Sequence, residues 1–188
     1  MNLVKQIKNY HPFNEQEAAA QRVILDCFEI FPDLLTRENE VAHLTASAFT
    51  LNENKDKTLM VYHNIYDSWA WTGGHADGND NLFQVARQEL IEETGVKNIR
   101  ALSREIYALD LLPVFAHCKN NNFVAGHLHL NLSYLLQAAE KDKLQIKPDE
   151  NKGVKWIPLS EIRNYSTEKD MYPVYEKIIS KFKLNGVT

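Results

Sequence analysis

Apolar positions along this chain change character three times. Residues 1 to about 40 carry helical spacing, with EAAAQRVILDCFEIF supplying strong helix formers and Asn14 and Glu17 in capping-box register. Phe31-Pro32 closes that segment. From His43 the runs HLTASAFTLN and TLMVYHN are rich in β-branched and aromatic residues, and the polar ENKDK between them reads as a hairpin turn. SWAWTGG then leads through a glycine-rich loop into a predicted helix over Leu82–Thr94, with Leu82, Phe83, Ala86 and Leu90 as its apolar stripe. Strand-like runs follow over 99–114 and 122–138, then a polar loop from Lys141 to Gly153 and a short strand VKWIP. Ser160 is expected to cap a short helix, and 171–184 reads as a terminal helix with Pro173 in its first turn. Interleaved strands and helices predict an α/β sheet sandwiched between helices. The division expected is an N-terminal helical segment, 1–40, and a main domain, 41–188.

The central helix carries an electrostatic oddity. Glu89, Glu92 and Glu93 fall within about 100° of arc on one face. They sit just before Gly95, a C-terminal stop, where the helix dipole is already negative. Like charges three and four residues apart repel as well. Such an arrangement is either a solvated acidic face or the seat of a cation, for which glutamate oxygens suit Mg²⁺ or Mn²⁺. Gly73-Gly74, before the helix, leaves backbone free to approach a ligand or give a carbonyl to a metal. Asp77 and Asp80 add acids where they favour the helix N-terminus.

Composition narrows the classes. The 188 residues are 44% hydrophobic and 24% charged, with a formal charge of −4, as in an ordinary soluble globular protein. No basic stripe favours a nucleic-acid duplex. The N-terminal MNLVKQIKNYHPF lacks a leader's apolar stretch, and no apolar run approaches membrane-spanning length. Cys27 and Cys118 show no metal-binding spacing and read as isolated reduced thiols. A cytoplasmic protein acting on a small molecule is the expectation.

The stretch Gly74–Val96 resembles the Nudix box, G-x5-E-x7-R-E-U-x-E-E-x-G-U, where U is aliphatic. Gly74 takes the opening glycine, and Glu89, Leu90, Glu92, Glu93, Gly95 and Val96 take the closing run in register. Asp80 stands where the pattern has glutamate, and Gln88 where it has the arginine that pairs with the acidic residues. Trp156, Pro158, Ser160 and Glu161 are similar to the family's usual ending. The resemblance to the Nudix hydrolase superfamily implies an α/β/α sandwich with a mixed sheet. It also implies hydrolysis of a diphosphate linkage by activated water, typically in nucleoside diphosphate derivatives. Carried over, Glu89 and Glu93 are the first metal ligands, Glu92 a further ligand or water-positioning group, and the Gly73 carbonyl completes the shell. Glu150 is the candidate general base from outside the box, with Asp149 as its rival.

His127 and His129 alternate on an expected strand and share a face, from which they would donate to substrate phosphates. His75, in the glycine-rich loop, is the third candidate for substrate binding. Trp69, Trp71, Tyr62 and Phe123 are candidates to stack on a base, set against the ordinary core role of strand aromatics. Two other functions stay open. One is a non-catalytic metal- or nucleotide-binding module in which Asp80 and Gln88 mark lost chemistry. The other is an isopentenyl-diphosphate-type isomerase, for which Cys118 is the available thiol. The apolar N-terminal helix is a candidate homodimer surface.

Overall fold

The computed structural model describes residues 3–119 and 122–184. Helices α1 (Leu3–Lys8) and α2 (Glu15–Ile30) open the chain. The Asn14 side chain accepts from the Glu17 amide at 3.0 Å, while Glu17 Oε2 accepts from the Phe13 amide at 2.8 Å, so the predicted cap forms. Strand β1 (Ala42–Leu51) pairs in parallel with β9 (His127–Ala138), and every other pairing in the eight-stranded sheet is antiparallel. The sheet is therefore mixed.

The hairpin predicted at ENKDK forms, but its strands part at once. β2 (Lys57–His63) meets β1 only at Leu51↔Thr58 and then pairs with β3 (Ser68–Ala70) and β10 (Asn151–Pro158). Past Trp71 the chain changes partner, and β4 (Thr72–His75) lies along β1 from Thr45↔His75 to Ala48↔Thr72. This switch carries Gly73, Gly74 and His75 onto the centre of the sheet.

The run expected as a strand over 99–114 is interrupted. β5 (Ile99–Ala101) pairs with the end of β9 and β6 (Ala108–Val114) with its beginning. Between them the amides of Leu102 and Ser103 both donate to the Leu135 carbonyl, so the chain bows out around one residue of β9. The run over 122–138 is likewise split, into β8 (Asn122–Val124), hairpinned with β7 (His117–Lys119), and β9. Ser160 does not cap a helix. It lies inside a 3₁₀ turn over Leu159–Glu161 that has no side-chain cap and runs into α4 (Ile162–Tyr165).

Two apolar layers cover the sheet. On one face Leu44, Ala46, Leu130 and Leu132 pack with Ala20 and Ile24 of α2 and with Leu82, Ala86 and Leu90 of α3 (Leu82–Thr94). On the other, Phe49, Trp71 and Leu135 pack with Tyr175 and Ile178 of α5 (Tyr172–Leu184). The apolar face of α2 is thus used within the chain. Toward its other end this second face turns polar, with His43, Thr45 and Ser47 on β1 alongside His129, Asn131 and Ser133 on β9. No helix among the described residues is long and apolar enough to cross a membrane.

Candidate active site

Helix α3 starts at Asn81, whose side chain accepts from the Gln84 amide, and stops at Gly95 with φ 74°. Those two ends fix its length, and its buried stripe of Leu82, Val85, Ala86 and Leu90 fixes its rotation on the sheet. The rotation points Glu89 and Glu93 inward and leaves Glu92 exposed. Glu93 is 3% exposed, and its Oε1 accepts from the Gly73 amide at 2.9 Å. A Cβ on Gly73 would meet the Ala46 carbonyl and Ser47 Oγ at 2.7 Å, so only glycine lets β4 lie this close to β1 while serving Glu93.

The loop before β10 completes the cluster. The Gln145 amide donates to the Thr94 carbonyl at 2.8 Å, and Asn151 Nδ2 donates to the Glu93 carbonyl at 3.0 Å. These bonds satisfy carbonyls at the end of α3 and lay the loop across it. One carboxylate oxygen each from Glu89, Glu93 and Glu150 then lies within 4.8 Å of the others. Glu150, half-buried, joins this group, while Asp149 is exposed and lines a small cleft shared with Glu89, Glu93 and Glu150. Burial pushes the Glu93 carboxyl up to about 8, with the like charges of Glu89 and Glu150 adding to the effect. Glu89 is raised too, by burial first and then by Glu150.

Glu92 is held from two sides. Gln88 Nε2 donates to its Oε1 at 2.6 Å, and Lys147 Nζ lies 3.3 Å from its Oε2 and 2.9 Å from Glu150 Oε1. The glutamine in the arginine position thus orients Glu92, and the cation comes from Lys147. Asp80 is exposed ahead of the helix. Lys147 went unnoticed in the sequence because nothing local ties position 147 to position 92. Arg37 stands on the same rim, forked onto Asp77 at 2.8 and 2.5 Å.

A cavity of about 190 Å³ runs from Gly73, Gly74 and Glu93 over a polar floor to His75 and His129. In that floor Thr45 and Ser47 donate to Asn131 Oδ1 at 3.0 and 2.8 Å. Tyr66, Leu112, Pro113, Val114, Glu168 and Met171 border both this cavity and an apolar groove of about 610 Å³. Trp71 lines the cavity while packing edge-on against Tyr175. Trp69 meets Tyr62 edge-on, and Phe123 is 75% exposed on the β7–β8 hairpin. Cys118 lies on that hairpin as an exposed free thiol, and Cys27 is free as well. His127 is half-buried beside His129. His43 is a residue that sequence reasoning missed: it packs against His75, His127 and His129.

The sequence matches the NUDIX domain over residues 41–182. The chain belongs to the Nudix family. Nudix enzymes hydrolyse nucleoside diphosphate derivatives, and this chain is a Nudix-type hydrolase with the family's mixed sheet and flanking helices. Among solved structures it is similar to a C. elegans Ap4A hydrolase in a binary complex, with 15% identity, a TM-score of 0.53 and coverage of 76% of this chain and 98% of that one. A Nudix hydrolase from M. smegmatis, RenU, is similar at 12% identity and a TM-score of 0.51, covering 76% of this chain and 86% of that one. A NUDIX-family hydrolase from Clostridium perfringens shares 22% identity at a TM-score of 0.49, covering 73% and 97%. A comparison with curated proteins finds no match.

Proposed function

We propose that this Nudix protein cleaves a diphosphate linkage in a nucleoside diphosphate derivative or a similar small phosphorylated metabolite, using Mg²⁺ or Mn²⁺. The observation that carries the reading is the convergence of Glu89, Glu93 and Glu150 within 4.8 Å beside the Gly73-Gly74 strand. The donor set fits a hard divalent cation: it is all oxygen, and Glu93 is buried with two acidic neighbours. A cation bound there would screen phosphate charge and make a water easier to deprotonate near neutral pH.

The remaining work falls to the chain itself. Glu89 and Glu93 are the principal ligands, with Gly73 fixing Glu93 through its amide. Glu150 lies at the open side of the group and takes the proton from the attacking water as its oxygen bonds to phosphorus and the bridging P–O bond breaks. Glu92, gripped by Gln88 and Lys147, positions the loop that carries Glu150. The substrate's non-phosphate portion extends into the apolar groove, whose size lies within the roughly 300–1,000 Å³ of ordinary ligand pockets.

A phosphate-release screen over nucleoside diphosphate sugars, dinucleoside polyphosphates, NADH, coenzyme A and nucleoside triphosphates tests this, with and without Mg²⁺ or Mn²⁺. Turnover requiring the metal and abolished in Glu93→Gln, whose circular dichroism stays native, is the expected result. Metal-independent turnover, or full activity in Glu93→Gln, overturns it. Metal-dependent binding of a ligand without turnover would mark a binding module instead.

A further inference from the structure

We propose that His43, His75 and His129 form a second metal site, built for a borderline transition-metal ion of the Zn²⁺ class and bordering the cavity that Glu93 also lines. The sheet brings these residues together from three adjacent strands. His43 on β1 is the direct cross-strand partner of His129 on β9, and His75 on β4 lies opposite Thr45, two residues further along β1. Their rings form a nearly equilateral triangle, with centroids 5.0, 5.1 and 4.9 Å apart. One ring nitrogen from each lies within 4.8 Å of the others. Tetrahedral zinc with Zn–N of about 2.0–2.1 Å sets its ligand nitrogens roughly 3.3–3.4 Å apart. Binding an ion there would draw the three nitrogens inward from their present separation of up to 4.8 Å.

A second, independent observation comes from His43. The residue is 4% exposed, and its Nδ1 lies 3.0 Å from the Asn39 carbonyl. A nitrogen facing a carbonyl carries the proton, so Nε2 presents a bare lone pair. That Nε2 is buried with no hydrogen-bond partner. A buried polar atom left unpaired is costly and calls for an explanation. An imidazole anchored through Nδ1–H to a backbone carbonyl, with Nε2 free, is the arrangement metal-binding histidines use.

The surroundings suit the assignment. His127 backs His129, with its Nε2 3.3 Å from His129 Nε2 and its own Nδ1 2.8 Å from the Ala125 carbonyl. Burial disfavours charge on two of these rings: it pushes His129 down to about 2, with the neighbouring histidines adding to the shift, and lowers His43. Neutral imidazole is the form that binds metal. Imidazole nitrogens favour Zn²⁺, Ni²⁺, Cu²⁺ or Co²⁺ over the hard ions that carboxylates select. Three protein ligands leave a fourth position open toward the cavity shared by His75, His129 and Glu93, the pattern of a zinc ion that receives water or a substrate oxyanion.

The test uses the full chain, stripped with a chelator and titrated with Co²⁺ alone in excess Mg²⁺, followed by the cobalt absorption spectrum and by calorimetry. One equivalent with a tetrahedral-type spectrum is expected. Glu93→Gln should retain it, so this outcome stands whether or not the hydrolase reading holds. His129→Ala and His75→Ala should weaken it by at least about 100-fold. His75 is half-exposed, so its variant guards against a folding defect at the more buried positions, and circular dichroism confirms the fold. Binding retained in both histidine variants, or lost in Glu93→Gln, places the ion elsewhere and overturns the proposal. Absence of binding by the unaltered chain overturns it too.

Discussion

A Cβ built on Gly74 would lie 2.2 Å from Oε1 of Glu89 and 2.5 Å from its Cδ. The missing side chain is what allows the Glu89 carboxylate to lie across the loop. Gly74→Ala therefore pushes aside the far end of a flexible side chain and leaves the sheet in place. Metal-dependent hydrolysis should fall by about 10–100-fold, since misplacing a reacting group by about 1 Å costs on that order. The melting temperature should stay close to that of the unaltered chain. Unchanged steady-state kinetics would show that Glu89 is not where the chemistry needs it.

Lys147 ties Glu92 to Glu150 across the gap between α3 and its covering loop. Lys147→Met should lower kcat by roughly tenfold, in line with loss of one positioning group. Lys147→Arg should restore most of it, because the loss is of a cation and not of a shape. Equal activity in Lys147→Met and the unaltered chain would assign the bridge to the surface alone.

Away from the site, Lys177 sits in a buried charge network. Its Nζ lies 2.6 Å from Asp110 Oδ1 and 3.4 Å from Glu17 Oε1, and all three side chains are almost fully buried. Lys177→Met leaves buried Asp110 without its cation, while Glu17 keeps Lys181 at 3.6 Å, and a buried pair that loses one partner costs about 3–5 kcal/mol. Urea denaturation measures this directly. A loss below about 1 kcal/mol would mean that the carboxylates find other partners or take up protons.

Glu168, bordering the cavity and the groove, carries an Oε1 with no hydrogen-bond partner. Burial raises its carboxyl above the ordinary glutamate range, with Asp170 adding a smaller like-charge effect. The folded state then holds more protons than the unfolded chain from the ordinary glutamate value, about 4.3, up to the raised one. Its contribution to stability therefore falls as pH rises through that window. Glu168→Gln should flatten that part of the stability–pH curve and raise the melting temperature at neutral pH. A curve parallel to that of the unaltered chain would assign the slope to other groups.

How much was legible depended on how local the determining forces are. The ends of α3, the Asn14 cap and the ENKDK turn all rest on residues within a few positions of each other, and all three form. The break in 99–114 rests on Leu135, far along the chain, and could not be read. Ser160 carried a cap signal that the incoming strand overrode.

The site divides in the same way. That Glu89, Glu92 and Glu93 share a helix face ended by Gly95 is written in adjacent residues, because helical periodicity and a left-handed stop are local properties. Long-range packing sets the rest: Glu93 is buried against Gly73, Glu150 joins the group where Asp149 does not, and Lys147 supplies the cation for Glu92. It also set His43 against His75 and His129, through the parallel register of β1 with β9 and the switch of β4 onto β1. Register between distant strands is fixed by which whole faces can be buried together, and that energy has no short-range trace in the chain.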